Sequence, residues 1–75
     1  MEIMAEKTLG ESRVRLDFNS NQNPDVEKLK RLTAQLIDAC EALKTEMPSE
    51  KSRLISLAQT AYEEAAMWAV KAATA

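Results

Sequence analysis

Residues 23–44 read NPDVEKLKRLTAQLIDACEALK, and this stretch decides the fold. Asn23 can cap free backbone N–H groups, Pro24 suits the first helical position, and Asp25 complements the positive end of the helix dipole. Apolar positions then recur at alternating intervals of three and four, which is typical of a helix with one buried stripe. The stripe comprises Val26, Leu29, Thr33, Leu36, Cys40 and Leu43, widened by Leu32 and Ile37. The sequence therefore predicts a helix over residues 24–45.

A second helix is predicted over residues 49–74. Pro48 cannot continue the first helix, and Ser49 followed by Glu50 starts another. Such a short connection makes the two helices antiparallel neighbours. One apolar seam of the second helix comprises Leu54, Ala58, Ala61, Ala65, Trp68 and Ala72, and Ile55, Tyr62, Ala66 and Ala69 extend it.

The segment before the hairpin has two parts. Residues 1–12 show no apolar periodicity and contain the only glycine, so we expect a flexible arm. In residues 13–18, RVRLDF, apolar and charged side chains alternate strictly, which predicts a short strand or an extended segment. Because one strand has no partner within the chain, it favours pairing with or packing across another copy.

The hairpin alone buries little apolar area. Eight of the eighteen residues from Ala58 to Ala75 are alanine, so Trp68, Tyr62 and Met67 must pack against something outside the hairpin. The predicted fold is one all-α domain over residues 1–75, an antiparallel two-helix hairpin with a strand-like arm that assembles as an oligomeric helical bundle.

Composition excludes most enzyme chemistry. The chain has no histidine and one cysteine, which removes disulfide frameworks, Cys/His zinc sites and histidine-based catalysis within a protomer. We therefore expect no catalytic residue, metal or cofactor, and interpret Cys40 as part of the apolar stripe. The net charge of -2 disfavours DNA as a partner. No stretch is typical of a signal peptide or membrane span, which favours the cytoplasm.

Several charged residues could nevertheless bind a small anion. Lys71 lies one turn from Trp68, so an ammonium would stand beside an indole, although the lysine could equally complement the helix C-terminus. Arg13 and Arg15, with the cluster Lys28, Lys30 and Arg31, could surround a dianion or remain ordinary surface charges. We interpret Glu63 as a solvated or salt-bridged surface residue, and Glu64 as a candidate for an ion pair between subunits.

Three segments resemble a known group of proteins: RVRLDFN at residues 13–19, NPDVEKLK at residues 23–30 and LAQTAYEEAAMWAVKAAT at residues 57–74. They resemble small tailed-phage proteins, and the hairpin is similar to the one shared by anti-CBASS and anti-Thoeris cyclic-nucleotide sponges. The resemblance implies a phage counter-defence protein in the host cytoplasm. Such a protein forms oligomers, often hexamers, and sequesters cyclic dinucleotides, cyclic trinucleotides or cyclic ADP-ribose isomers between protomers.

The resemblance also implies a ligand-binding set. The basic residue of the last helix falls on Lys71, the lysine of the first helix on Lys30, and the threonine of the Ala-x-Thr segment on Thr60, while the N-terminal basic and aromatic residues fall near Arg15 and Phe18. Lys71 replaces a frequent arginine and so lacks its bidentate fork, and Phe18 lacks a tyrosine hydroxyl. With Trp68 for base stacking, these are the predicted ligand-binding residues. The alternatives are an oligomeric scaffold without a nucleotide ligand and, third, a nucleic-acid regulator.

Overall fold

The computed structural model describes residues 6–19, 21–46 and 49–75. Its helices are α1 (Leu9–Arg13), α2 (Pro24–Glu41) and α3 (Glu50–Ala73), and these described residues contain no strand. The all-helical class is as predicted. The two long helices form the hairpin, and α1 packs on α2.

The predicted helix starts are confirmed in atomic detail. The Asn23 side chain accepts from the backbone N–H groups of Asp25 and Val26 at 2.8 and 3.2 Å, and the Ser49 hydroxyl accepts from the N–H of Ser52 at 3.3 Å. The first long helix ends at Glu41, earlier than the predicted residue 45, and the second ends at Ala73. The predicted break at Pro48 lies outside the described residues.

The strand prediction for residues 13–18 is wrong. Thr8 caps α1 in a reciprocal capping box, in which its hydroxyl accepts from the Glu11 N–H at 3.1 Å and its own N–H donates to the Glu11 carboxylate at 3.0 Å. Val14 and Leu16 then donate backbone N–H groups to carbonyls within α1, both at 3.0 Å. Because these bonds are local, the segment closes into a turn instead of seeking a neighbouring strand. Of the predicted flexible arm, residues 1–5 lie outside the described residues.

A small core holds α1 against the hairpin. Its buried members are Val14, Ala34, Ile37 and Ala66, with Leu16 and Tyr62 packed against them. Buried Gln59 joins the helices, since its amide donates to the Ile37 carbonyl at 3.1 Å and to the Glu41 carboxylate at 3.0 Å. These bonds connect the end of α2 to the first half of α3, as expected of an antiparallel pair.

The seat of α1 on α2 requires a glycine. The Gly10 N–H donates to the Asp38 carboxylate at 2.7 Å, and a Cβ added at Gly10 would overlap the carbonyl group of Ala34. On the other side, Arg13 Nε lies 2.6 Å from Glu63 Oε1. The short helix therefore lies over the groove between α2 and α3.

The hairpin buries only part of the apolar surface that the sequence predicts on α3. Ile55 and Ala66, which the sequence predicts as extensions of the seam, are buried, whereas Ala61, Ala65 and Trp68 of the seam itself are exposed. Residues two positions apart on a helix point about 200° apart. Ala61 and Ala65 therefore point away from Glu63 and from α1.

The prediction also holds only in part on α2. Its buried face carries Val26 and Ile37 of the predicted stripe together with Lys30 and Ala34. Leu36 of the same stripe is 44% exposed and stands two positions from Ala34 and from Asp38, which both contact Gly10 of α1. We call the apolar surface that results the uncovered face. It comprises Leu32 and Leu36 on α2 with Leu54, Leu57, Ala61, Ala65 and Trp68 on α3.

Candidate functional site

A cavity of about 450 Å³ lies where the end of α1 meets the second half of α3, and we call it the α1–α3 pocket. Cations and one carboxylate stand around an apolar floor. The lining comprises Arg13, Val14, Arg15, Lys30, Glu63, Ala66, Met67 and Val70. Three basic groups against one acid give this site a positive balance that the chain as a whole lacks.

A larger groove beside α2 does not share this balance. It has a volume of about 840 Å³, and its lining includes Asp17, Glu27, Lys28 and Arg31. Asp17 pairs with Lys7 at 2.7 Å, and Glu27 pairs with Arg31 at 3.3 Å, so much of its charge is neutralised locally. The smaller pocket is therefore the better candidate for an anion.

Arg15 reaches the pocket through an unusual backbone conformation. Its φ is 55°, in the left-handed region that non-glycine residues seldom adopt. No carboxylate of the described residues pairs with the Arg15 guanidinium. The fork therefore stands at the pocket with its donors available, as an anion-binding arginine requires.

Lys30 lies beneath this turn and is only 6% exposed. Its Nζ donates to the carbonyl oxygens of Arg15 at 2.8 Å and Phe18 at 2.5 Å, and it lies 5.8 Å from the centroid of the Phe18 ring. Burial lowers the pKa of Lys30, and the nearby charge of Arg15 lowers it further. The structure thus brings Lys30 together with Arg15 and Phe18, but its ammonium is occupied by backbone.

Arg13 and Glu63 form one wall of the pocket. Their salt bridge is partly shielded, with side-chain exposures of 25% and 39%. The sequence reading of Glu63 as a solvated or salt-bridged residue agrees with this pair, but it did not place the pair at a pocket. The signal for Arg13 was its two-residue spacing from Arg15, which was interpreted as one side of a strand.

Phe18 lies beside the pocket without lining it. The side chain is 73% exposed and borders a neighbouring cavity of about 180 Å³ that shares Lys30 and Val70 with the α1–α3 pocket. An aromatic face is therefore available next to the basic groups.

The remaining predicted residues lie elsewhere on α3. Lys71 Nζ is 5.5 Å from the Trp68 ring centroid, which bears out the expected neighbourhood of ammonium and indole. Neither residue lines the pocket, and neither does Thr60, which is exposed. Within one chain the predicted set therefore divides into two groups. Arg15, Lys30 and Phe18 lie at or beside the α1–α3 pocket, whereas Thr60, Trp68 and Lys71 do not line it.

The described part of the chain offers neither a metal site nor a membrane-spanning helix. Residues 6–19, 21–46 and 49–75 contain no cluster of acidic or cysteine ligands suited to a metal ion. In the same residues, no helix is both long and apolar enough to cross a bilayer.

Comparison with known proteins identifies the chain by family. No curated protein and no solved structure matches it. A family model described as Acb2/Tad1, hairpin domain, matches residues 10–74, which include every residue lining the α1–α3 pocket. This match confirms the family resemblance of the sequence. The chain belongs to the Acb2/Tad1 hairpin-domain family.

Proposed function

We propose that this protein is a non-enzymatic phage counter-defence protein that sequesters host cyclic nucleotide immune signals in the host cytoplasm. Its ligands would be cyclic di- or trinucleotides or cyclic ADP-ribose isomers. Family membership supports this class of function. The observation that carries the proposal for this chain is the guanidinium of Arg15, which pairs with no carboxylate of residues 6–19, 21–46 and 49–75 and stands at a pocket with an apolar floor.

The chemistry of the pocket suits a nucleotide. A guanidinium fork can donate two parallel hydrogen bonds to phosphate oxygens, and apolar side chains such as Met67 and Val70 can pack against a base. Sequestration requires tight binding and slow release without turnover. A preformed basic pocket meets that requirement without any catalytic group.

The complete site requires more than one copy in this proposal. The uncovered face presents large side chains on both helices and small alanines on α3, so large side chains of one copy could enter the gaps beside the alanines of another. A second copy is the proposed occupant because the chain carries both halves of this complementarity. We propose a homo-oligomer, for which the family resemblance suggests a hexamer, that would bring Thr60, Trp68 and Lys71 of one protomer towards Arg15, Phe18 and Lys30 of another.

Native mass spectrometry is the direct test. The protein is measured alone and with a panel of cyclic dinucleotides, cyclic trinucleotides and cyclic ADP-ribose isomers. We expect a discrete oligomer that gains a stoichiometric ligand and releases it chemically unchanged on heating. A chemically altered product would contradict sequestration.

Two arginine variants make the test specific to the pocket. Arg15→Ala removes charge-assisted hydrogen bonds worth roughly 1.5–3 kcal/mol, so ligand affinity should fall about 10- to 100-fold while the oligomer mass is kept. Arg53→Ala is the matched control, because Arg53 is exposed, lies outside the lining of the α1–α3 pocket and pairs with Glu50 of its own helix turn. Equal losses in both variants would contradict the assigned pocket.

An oligomeric scaffold is the alternative, and the uncovered face is the observation that favours it. A scaffold needs that apolar surface but no nucleotide. An oligomer that remains empty across the whole panel, with Arg15→Ala indistinguishable from wild type, would favour this alternative.

A further inference from the structure

Lys30 is almost fully buried, yet it has no acidic partner among the described residues. Its Nζ instead donates to the carbonyl oxygens of Arg15 and Phe18 at 2.8 and 2.5 Å. An ammonium has three N–H donors, so these two bonds occupy most of its capacity. In the ligand-free chain, the Lys30 ammonium therefore keeps one N–H group for any further acceptor.

The turn that Lys30 binds contains a strained backbone conformation at Arg15. A left-handed backbone costs a non-glycine residue roughly 1–2 kcal/mol, and Arg15 adopts one with φ at 55°. The Phe18 N–H donates to the Arg15 carbonyl at 2.9 Å, which closes the turn, and Lys30 binds the same carbonyl. One buried side chain thus stabilises both ends of the strained segment.

This turn determines where two candidate ligand-binding side chains stand. Arg15 lines the α1–α3 pocket from the turn, and the Phe18 ring lies against the Lys30 ammonium at 5.8 Å. Without the bonds from Lys30, the left-handed residue would relax and carry the guanidinium away from the pocket.

We infer that Lys30 is a positioning residue, which fixes the Arg15–Phe18 turn through two backbone carbonyls and thereby presents Arg15 to the ligand. We call the two hydrogen bonds from Lys30 to the carbonyl oxygens of Arg15 and Phe18 the clasp. The clasp is a property of the ligand-free chain. Only its consequence for binding rests on the proposed function.

Amide hydrogen exchange of the ligand-free protein tests the clasp. Lys30→Met keeps an apolar stem of similar length but has no donor, and we expect exchange at the Phe18 amide to accelerate roughly tenfold or more. Arg15→Ala and Arg15→Gly are the paired backgrounds. Both remove the guanidinium, but only glycine removes the left-handed strain.

The expected pattern distinguishes a clasp from general core packing. Lys30→Met should release the turn in the Arg15→Ala background and leave it largely protected in the Arg15→Gly background, a difference of about tenfold for a strain near 1.4 kcal/mol. Equal acceleration in both backgrounds would mean that Lys30 acts by packing alone, which overturns the proposal.

Ligand binding supplies the second measurement, using whichever panel nucleotide binds the wild-type oligomer. Lys30→Met should weaken its binding at least tenfold together with loss of Phe18 protection. Weakened binding with a fully protected turn would identify Lys30 as a direct contact and overturn the clasp. If no nucleotide binds wild type, the proposed function fails while the exchange result still decides the clasp.

Discussion

The two broad sides of the α2–α3 hairpin differ in what covers them: α1 packs on one side, and the other side is the uncovered face. On the α1 side, short directional contacts fix the geometry, including the bond from the Gly10 N–H to Asp38 at 2.7 Å and the Arg13–Glu63 pair at 2.6 Å. On the uncovered face, large residues such as Leu36 and Trp68 remain 44% and 60% exposed. Directional contacts place a pocket, whereas non-directional apolar area suits another copy of the chain.

The largest expected effect is on the uncovered face. Leu36→Glu places a carboxylate in the proposed contact between copies, where burying a charge without a partner is prohibitive. We expect the assembly to dissociate towards the single-chain mass of 8.4 kDa in sedimentation velocity. Gln35→Glu, which adds the same charge at an adjacent exposed position, should leave the assembly intact. Unchanged sedimentation of Leu36→Glu would show that this face is not the contact.

The next effect breaks the α1 side. Gly10→Ala forces a Cβ into the Ala34 carbonyl, a backbone group that cannot yield as a flexible side chain would. We expect unfolding in urea to show a loss of about 1–3 kcal/mol, as for overpacked cores. Ser12→Ala is the control, since Ser12 lies in the same helix but is exposed, and it should be neutral or slightly stabilising. A Gly10→Ala protein as stable as wild type would contradict the close seat of α1.

The same contrast explains what the sequence could predict. Asn23 and Pro24 announce the start of α2 because capping is a local property, and the cap forms as expected. The alternation of Val14, Leu16 and Phe18 is also local, but here it misled, because Thr8 and Glu11 cap α1 at one end. At the other end, Lys30 donates to the backbone carbonyls of Arg15 and Phe18, a contact that no pattern of side chains in the sequence predicts.

Counting apolar residues does not fully predict which face of each helix is buried. Lys30 and Gln59 lie on the buried faces because their N–H donors find acceptors there. Lys30 donates to two backbone carbonyls, and Gln59 donates to one backbone carbonyl and to the Glu41 carboxylate. Those acceptors become available only once the chain has folded. The sequence accordingly predicts Arg15, Lys30 and Phe18 as ligand-binding residues and Arg13 as a candidate for binding an anion. It does not reveal the backbone role of Lys30 or the pairing of Arg13 with Glu63.

A smaller effect concerns the polar link inside the hairpin. The Gln59 amide is the first cause of a lowered pKa at Glu41, followed by the Lys44 ammonium. A carboxyl with a lowered folded-state pKa contributes stability above its unfolded pKa, and this contribution is lost as pH falls through the folded value. Gln59→Leu should cost about 1 kcal/mol at neutral pH and flatten the loss of stability on acidification.

Urea unfolding at several acidic pH values measures this change. Gln35→Leu is the control because Gln35 is exposed on the same helix as Glu41, and it should keep the wild-type pH profile. An unaltered acid profile in Gln59→Leu would show that the amide does not hold the Glu41 carboxylate in solution.

The smallest effect concerns stability at alkaline pH, where the pKa shifts of Lys30 and Lys7 have opposite signs. Burial, and then Arg15, lower the pKa of Lys30 below its ordinary 10.5, so between the folded value and 10.5 the unfolded chain binds more protons and stability rises with pH. The hydrogen bond to Asp17 raises the pKa of Lys7, whose contribution is lost as pH rises through its folded value. Below pH 10.5, the unfolding free energy should therefore rise less steeply with pH for Lys30→Met than for wild type. Between pH 10.5 and the higher folded pKa of Lys7, Lys7→Met should remove a fall in stability that wild type shows. A neutral Lys30 amine still has two N–H donors for its two carbonyls, so the turn should stay protected throughout the titration.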